Sequence, residues 1–158
     1  ELRGSVAAIN QDHSQSGMNA LRHTVAPLAR GGNFFAQVVV SGSHMASMAM
    51  LQRGQAAVAA IDCATYELAL RHAPQAVAGV RKLQYTAAAP GLPLIASRHM
   101  TDAQAQDLQD VVLSLPDAAA SDLQTLSIDR FHAIGLTDYA PIGEQTQFAV
   151  GYGYPELA

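Results

Sequence analysis

The sequence predicts an α/β fold, a three-layer lobe on a mainly parallel sheet, followed by C-terminal helices. Three observations carry that expectation. Between residues 6 and 72, short apolar runs alternate three times with stretches of helical spacing, each pair joined by a polar turn. Connections of this kind are right-handed, so all three strand-to-helix turns fall at one edge of the sheet, the edge where open α/β sheets bind ligands. Finally, 158 residues of 49% hydrophobic composition suffice for one ordinary core.

The first strand is Val6-Ala7-Ala8-Ile9, set between Gly4 and the polar turn Asn10 to Met18. From Gly17 onward, Met18, Leu21, Val25 and Leu28 follow a helical spacing, with Pro27 expected to trim the last turn and Arg30-Gly31-Gly32-Asn33 to stop it. Phe34 to Val40 is aromatic and β-branched, the composition of a covered strand, and runs into Ser41-Gly42-Ser43-His44. Ser43 suits the N-cap of a helix with Met45, Met48, Ala49 and Leu51 on its apolar face, ended by Gly54; these methionines read as core filler. Ala57 to Ile61 is a third buried strand, and Asp62 leads into a helix reaching about His72.

Val80 to Tyr85 reads as a fourth strand and Thr86 to Pro93 as a stiff connector, with one more short strand at Leu94-Ile95-Ala96. Thr101 and Gln104 form a capping box for a helix with Leu108, Val111, Val112 and Leu115 on one face, stopped by Pro116. Beyond it, a short helix is expected around Ala118 to Leu126, then Gly, Pro and Tyr-rich turns. The chain opens on Glu1-Leu2-Arg3-Gly4, without an initiator Met or a charged-then-apolar leader, which reads as part of a longer protein.

Composition narrows the function. A net charge of −4 with nine Lys and Arg provides no basic stripe for a nucleic-acid backbone. One cysteine, Cys63, rules out an internal disulfide and a multi-cysteine metal site. The six histidines show no zinc spacing, so neither a metal nor a cofactor is indicated. No apolar run approaches the roughly 20 residues of a membrane span.

The chemistry gathers at the three turns. The first presents Asn10, Ser14, Gln15, Ser16 and Gly17, the second Ser43 and His44, the third Asp62. Taken singly, each serine and Asp62 has an ordinary role as a helix cap. His44 is less ordinary, because a cation in a first turn opposes the helix dipole unless an anion is present. Together they supply backbone N–H groups, hydroxyls and an imidazole at helix starts, which is what an oxyanion needs.

Leu2-Arg3-Gly4, Ser14-Gln15-Ser16-Gly17-Met18-Asn19-Ala20-Leu21-Arg22, Ala26-Pro27-Leu28-Ala29, Val40-Ser41-Gly42-Ser43-His44, Ala59-Ala60-Ile61-Asp62-Cys63 and Ala89-Pro90-Gly91-Leu92-Pro93 resemble the phosphate/phosphite/phosphonate-binding solute receptors of ABC transporters. The resemblance covers Leu2 to Pro93 and implies the type II periplasmic binding protein fold, in which two α/β lobes close on a ligand. It implies that residues 1–93 are the second, ligand-binding lobe with its return crossover at 86–93. It also implies that 94–158 is a mainly helical segment packing on this lobe or on a first lobe whose opening segment is not in this sequence. Oxyanion contacts are carried onto Ser14, Gln15, Ser16, Gly17 and His44. Gln15 stands where characterised phosphonate receptors have Thr, so a hydroxyl is replaced by a carboxamide while the backbone N–H is kept. Asp62 has two implied roles, receiving a substrate ammonium or accepting the proton of a monoprotonated oxyanion.

The expected function is therefore non-catalytic capture of a small oxyanion. The implied partner is the membrane permease of an ABC importer, and the implied location is the periplasm or a lipid-anchored extracytoplasmic site. Half a cleft by itself also leaves self-association open. An enzyme is the alternative class, with Cys63 at a helix start as a nucleophile and His44 and Asp62 as its partners, and a non-transport anion sensor is a third.

Overall fold

Val6–Ile9 forms β1, the central strand of a three-stranded parallel sheet in the order β2-β1-β3. The structure, a computed structural model, describes residues 2–29 and 32–158. β2 (Gln37–Val40) pairs along all of β1, from Val6 opposite Gln37 to Ile9 opposite Val40. β3 is short, Val58–Ala59, and lies opposite Ala7 and Ala8. Small side chains at the centre of the sheet suit this position, since Ala7 and Ala8 are fully buried between neighbours on both sides.

The strand order sets the layers. The chain steps from β1 to β2, then reverses across β1 to β3, so right-handed connections put α1 (Ala20–Ala29) and α2 (His44–Gln52) on opposite faces. On the first face Ala7, Ile9, Val58 and Ala60 pack with Leu21, Val25, Ala26 and Ala29 of α1, and with Phe34, Phe35, Ala149 and Tyr154. Each buried phenylalanine contributes about 1.5–3 kcal/mol through the apolar area it removes from water. A second cluster of Met48, Ala69 and Val77, with Ile61 and Tyr66, joins α2 to α3 (Cys63–His72). This α/β architecture with a parallel sheet is the one expected from the sequence.

By its own packing the chain forms two units, Glu1–Ala89 with Ala140–Ala158, and Pro90–Tyr139. That grouping differs from 1–93 and 94–158, because α6 (Ala140–Gly151) packs on α1 and on the turn before it. The expectation of turns alone in this region is corrected. α6 buries only Gln145 and Ala149, one of them polar, so it leaves no helical stripe to read. The second unit contains α4 (Asp102–Ala118) and α5 (Ala120–Thr125). The capping box is present, with Gln104 Oε1 accepting from Thr101 N–H at 2.9 Å and Thr101 Oγ1 accepting from Gln104 N–H at 3.3 Å.

Four further expectations are corrected. Pro27 does not trim α1, which runs on to Ala29 because Ala26 and Ala29 are buried in the core. Pro116 does not stop α4, which continues to Ala118, its last turn closed by Ala119 N–H on the Leu115 carbonyl at 2.8 Å. Val80 to Tyr85 and Leu94 to Ala96 are not strands. Leu83, Tyr85, Leu94 and Ile95 are exposed, and without a neighbouring ladder an extended run gains nothing from its β-like composition. Within the strands that do form, β2 begins at Gln37, while Phe34 and Phe35 enter the core ahead of it.

Candidate functional site

At the end of β1 the chain passes through Asn10 to Ser14, which caps the first helix start with both its side chain and its backbone. Ser14 Oγ accepts from Gly17 N–H at 3.0 Å, and its carbonyl accepts from both Met18 and Asn19 N–H at 3.1 and 2.9 Å. The double acceptance widens this start into a five-residue π-helical turn, Gln15–Asn19, that runs directly into α1. The N–H groups of Gln15 and Ser16 are left as its unpaired donors among the described residues. Gly17 leaves room for the Asn10 side chain, since a Cβ would sit 1.9 Å from Asn10 Oδ1 and oblige that carboxamide to move. That oxygen is buried and has no hydrogen-bond partner among the described residues.

The second turn is laced to the first. Ser41 N–H donates to the Ile9 carbonyl at 2.8 Å and Gly42 N–H to the Asn10 carbonyl at 3.0 Å, Gly42 holding a positive φ of 94° to do so. Ser41 Oγ adds bonds to the Ile9 and Ser43 carbonyls at 3.0 and 2.9 Å and meets Ser47 Oγ at 2.7 Å. Ser43 caps α2, accepting from Ala46 N–H at 3.1 Å. His44 opens that helix, and its Nε2 lies 3.0 Å from Ser16 Oγ. Two helix starts 28 positions apart are thereby joined side chain to side chain.

Burial pushes the His44 imidazole below its ordinary value of 6.5, against a smaller upward pull from the Asp62 carboxylate and the Ala60 backbone. The ring is neutral at neutral pH and offers one donor and one acceptor. Its Nδ1 is buried and has no hydrogen-bond partner among the described residues. Asp62 caps α3, Oδ1 accepting from Thr65 N–H and Oγ1 at 2.9 and 3.2 Å; its second oxygen lies outside both bonds. Cys63, the first residue of α3, is exposed.

Gln15 departs from the rest. Its carboxamide turns to α6, Nε2 donating to Gln145 Oε1 at 2.7 Å and Oε1 accepting from Asn19 Nδ2 at 2.6 Å. Asn19 and Gln145 belong to the same cluster and were not singled out in the sequence, nor was Ser41. Asn19 sits four positions after Gln15, a spacing at which such side chains pair on a helix, and that was the one available signal. A cavity of about 480 Å³ borders the first turn through Asp12 and Met18 but is lined by none of the eight predicted residues. Among the described residues no three His, Cys, Asp or Glu groups cluster to hold a metal.

The arrangement can receive a small anion electrostatically. Two helix starts present unpaired N–H groups, Ser14 and Ser43 each keep a hydroxyl proton to donate, and Ser16 shares a hydrogen bond with His44 Nε2. Among curated proteins no match was found. The family model for the phosphonate periplasmic substrate-binding protein of ABC transporters matches residues 1–139, and the chain belongs to that family.

Proposed function

We propose that this chain captures a small oxyanion of the phosphate, phosphite or phosphonate type and passes it on unaltered, as the extracytoplasmic component of an ABC importer delivering to a membrane permease. The observation that carries this reading is the 3.0 Å contact between Ser16 and His44, which sets two anion-favouring helix starts side by side. Asn10, Ser14, Gln15, Ser16, Gly17, Ser43, His44 and Asp62 form the binding wall, Gln15 through its backbone N–H and Gly17 by the space its missing side chain leaves. The site holds no Arg or Lys of its own among these residues, so N–H and O–H donors carry recognition, as suits a ligand that must later be released. Binding energy is used to favour a closed state of the receptor.

Asp62 supplies discrimination. A carboxylate beside an oxyanion is tolerated only when a proton or an ammonium lies between them, so sulfate, which has neither at neutral pH, is disfavoured against a monoprotonated phosphonate. Catalysis is the weaker reading. His44 Nε2 faces Ser16 and Asp62 Oδ1 caps α3 at Thr65, contacts that serve the turns rather than Cys63.

Calorimetric titration with methylphosphonate, 2-aminoethylphosphonate, phosphate, phosphite and sulfate tests this. Binding of at least one phosphorus oxyanion with none of sulfate is the expected result. No heat from any of them, together with stoichiometric ester formation on Cys63, would overturn it. With Asp62→Asn, equal weakening of 2-aminoethylphosphonate and methylphosphonate would exclude ammonium recognition, whereas selective loss of the former is the outcome expected if Asp62 pairs with the amine.

A further inference from the structure

We infer that Gln15 and Gln145 form a clip that holds the oxyanion turn in its widened form, so that the Gln15 side chain is a positioning group and not a ligand contact. The inference rests on the oxyanion reading and assigns to α6 a role in that same site.

A π-helical turn is a rare and locally unfavourable departure from the α-helix, and it persists where surrounding contacts impose it. Here those contacts converge on Asn19, the last residue of the turn. Asn19 Nδ2 donates to Gln15 Oε1 at 2.6 Å and to the Ile142 carbonyl at 3.3 Å; its Oδ1 accepts from Arg22 Nη2 at 2.7 Å and Thr146 Oγ1 at 3.1 Å. Gln15 Nε2 then closes the link onto Gln145 Oε1 at 2.7 Å. Gln145 extends the link to the Ala88 carbonyl at 3.4 Å. Asn19 and Gln145 are each 5% exposed, so these amides have protein partners in place of water and hold one another in position.

The carboxamide of Gln15 is thus engaged at both of its ends, while its backbone N–H is unpaired. Ile142, Gln145 and Thr146 all lie in α6, beyond the residues matched by the family model. The segment least legible in the sequence therefore fixes the geometry of the most legible one.

The test uses the full chain and methylphosphonate, with Gln15→Met, Gln145→Met and the double variant, each similar in size to glutamine but unable to make the bond. Each single variant is expected to bind about tenfold more weakly, and the double variant by clearly less than the product of the two losses, because the Gln15–Gln145 bond is shared while each variant also removes one bond of its own, to Asn19 or to Ala88. Loss in Gln15→Met without loss in Gln145→Met would overturn the clip; so would fully additive losses, or no loss in either.

A second measurement does not depend on the variants' binding. In 15N-labelled wild type, the Gln15 side-chain amide, assigned by its absence in Gln15→Met, should exchange slowly with solvent and keep its chemical shift when methylphosphonate is added. Fast exchange, or a large shift on addition, overturns the proposal. If the wild-type chain binds none of the phosphorus oxyanions, the oxyanion reading fails by itself, and the clip still stands or falls on this exchange rate.

Discussion

Ser16 and His44 meet because two parallel strands end level with one another, and Ser41 and Gly42, the residues after Val40, then donate to the Ile9 and Asn10 carbonyls across the gap. Replacing Ser16 by Glu puts a like charge where the anion would sit. Methylphosphonate affinity should fall by at least a hundredfold in calorimetry, and unchanged affinity would remove the turn from the site. His44 makes a different prediction. Its folded-state pKa lies below the ordinary 6.5, so the unfolded chain takes up the proton first as pH falls. The stability associated with the neutral ring is complete above about pH 6.5 and is lost as pH drops below that value. Thermal melts between pH 7.5 and 5 should show a shallower acid decline in His44→Gln than in wild type; parallel curves would contradict the sign. At this scale the caps were legible, since Ser14, Ser43 and Asp62 all accept from the backbone three residues on. The direction of the Gln15 side chain was not, because its partner lies in an element that the sequence pattern did not reveal.

Among the elements, agreement depends on how much of the local signal survives without tertiary help. The β1 range, Val6–Ile9, is the expected one, and the capping box of Thr101 and Gln104 forms as expected. Thr101→Ala should destabilise α4 by about 1 kcal/mol and lower its helical circular dichroism on warming before the rest of the chain responds. A single sigmoid shared with wild type would argue against local melting. Prolines misled in the opposite direction. Pro27 and Pro116 each remove one hydrogen-bond donor near a helix end, a loss of the order of 3 kcal/mol in an isolated helix interior, yet both helices continue for two more residues. Near a C-terminus little helix remains to be broken. Val80 to Tyr85 failed as a strand for a non-local reason, since pairing depends on a neighbouring edge that a composition cannot supply.

At the scale of the whole molecule, the connection between Val80 and Ser97 is irregular and largely exposed, with Arg98 beside it also exposed. Limited trypsin treatment should therefore cut first at Arg81, Lys82 or Arg98, before the buried Arg22, as peptide mapping would show; early cleavage at Arg22 would contradict the packing of α1. The parallel sheet was legible from the alternation of patterns, whereas the strand order and the return of 140–158 to the sheet unit were not, because long-range packing leaves little trace in sequence spacing. The Gln15–Gln145 bond spans 130 positions, and that separation is also an interval of time. At about 5 to 20 residues per second of synthesis, roughly 7 to 26 s pass between the emergence of the turn and the emergence of its fastener. A nascent chain thus holds every donor of the first helix start long before it holds the glutamine that fastens the turn.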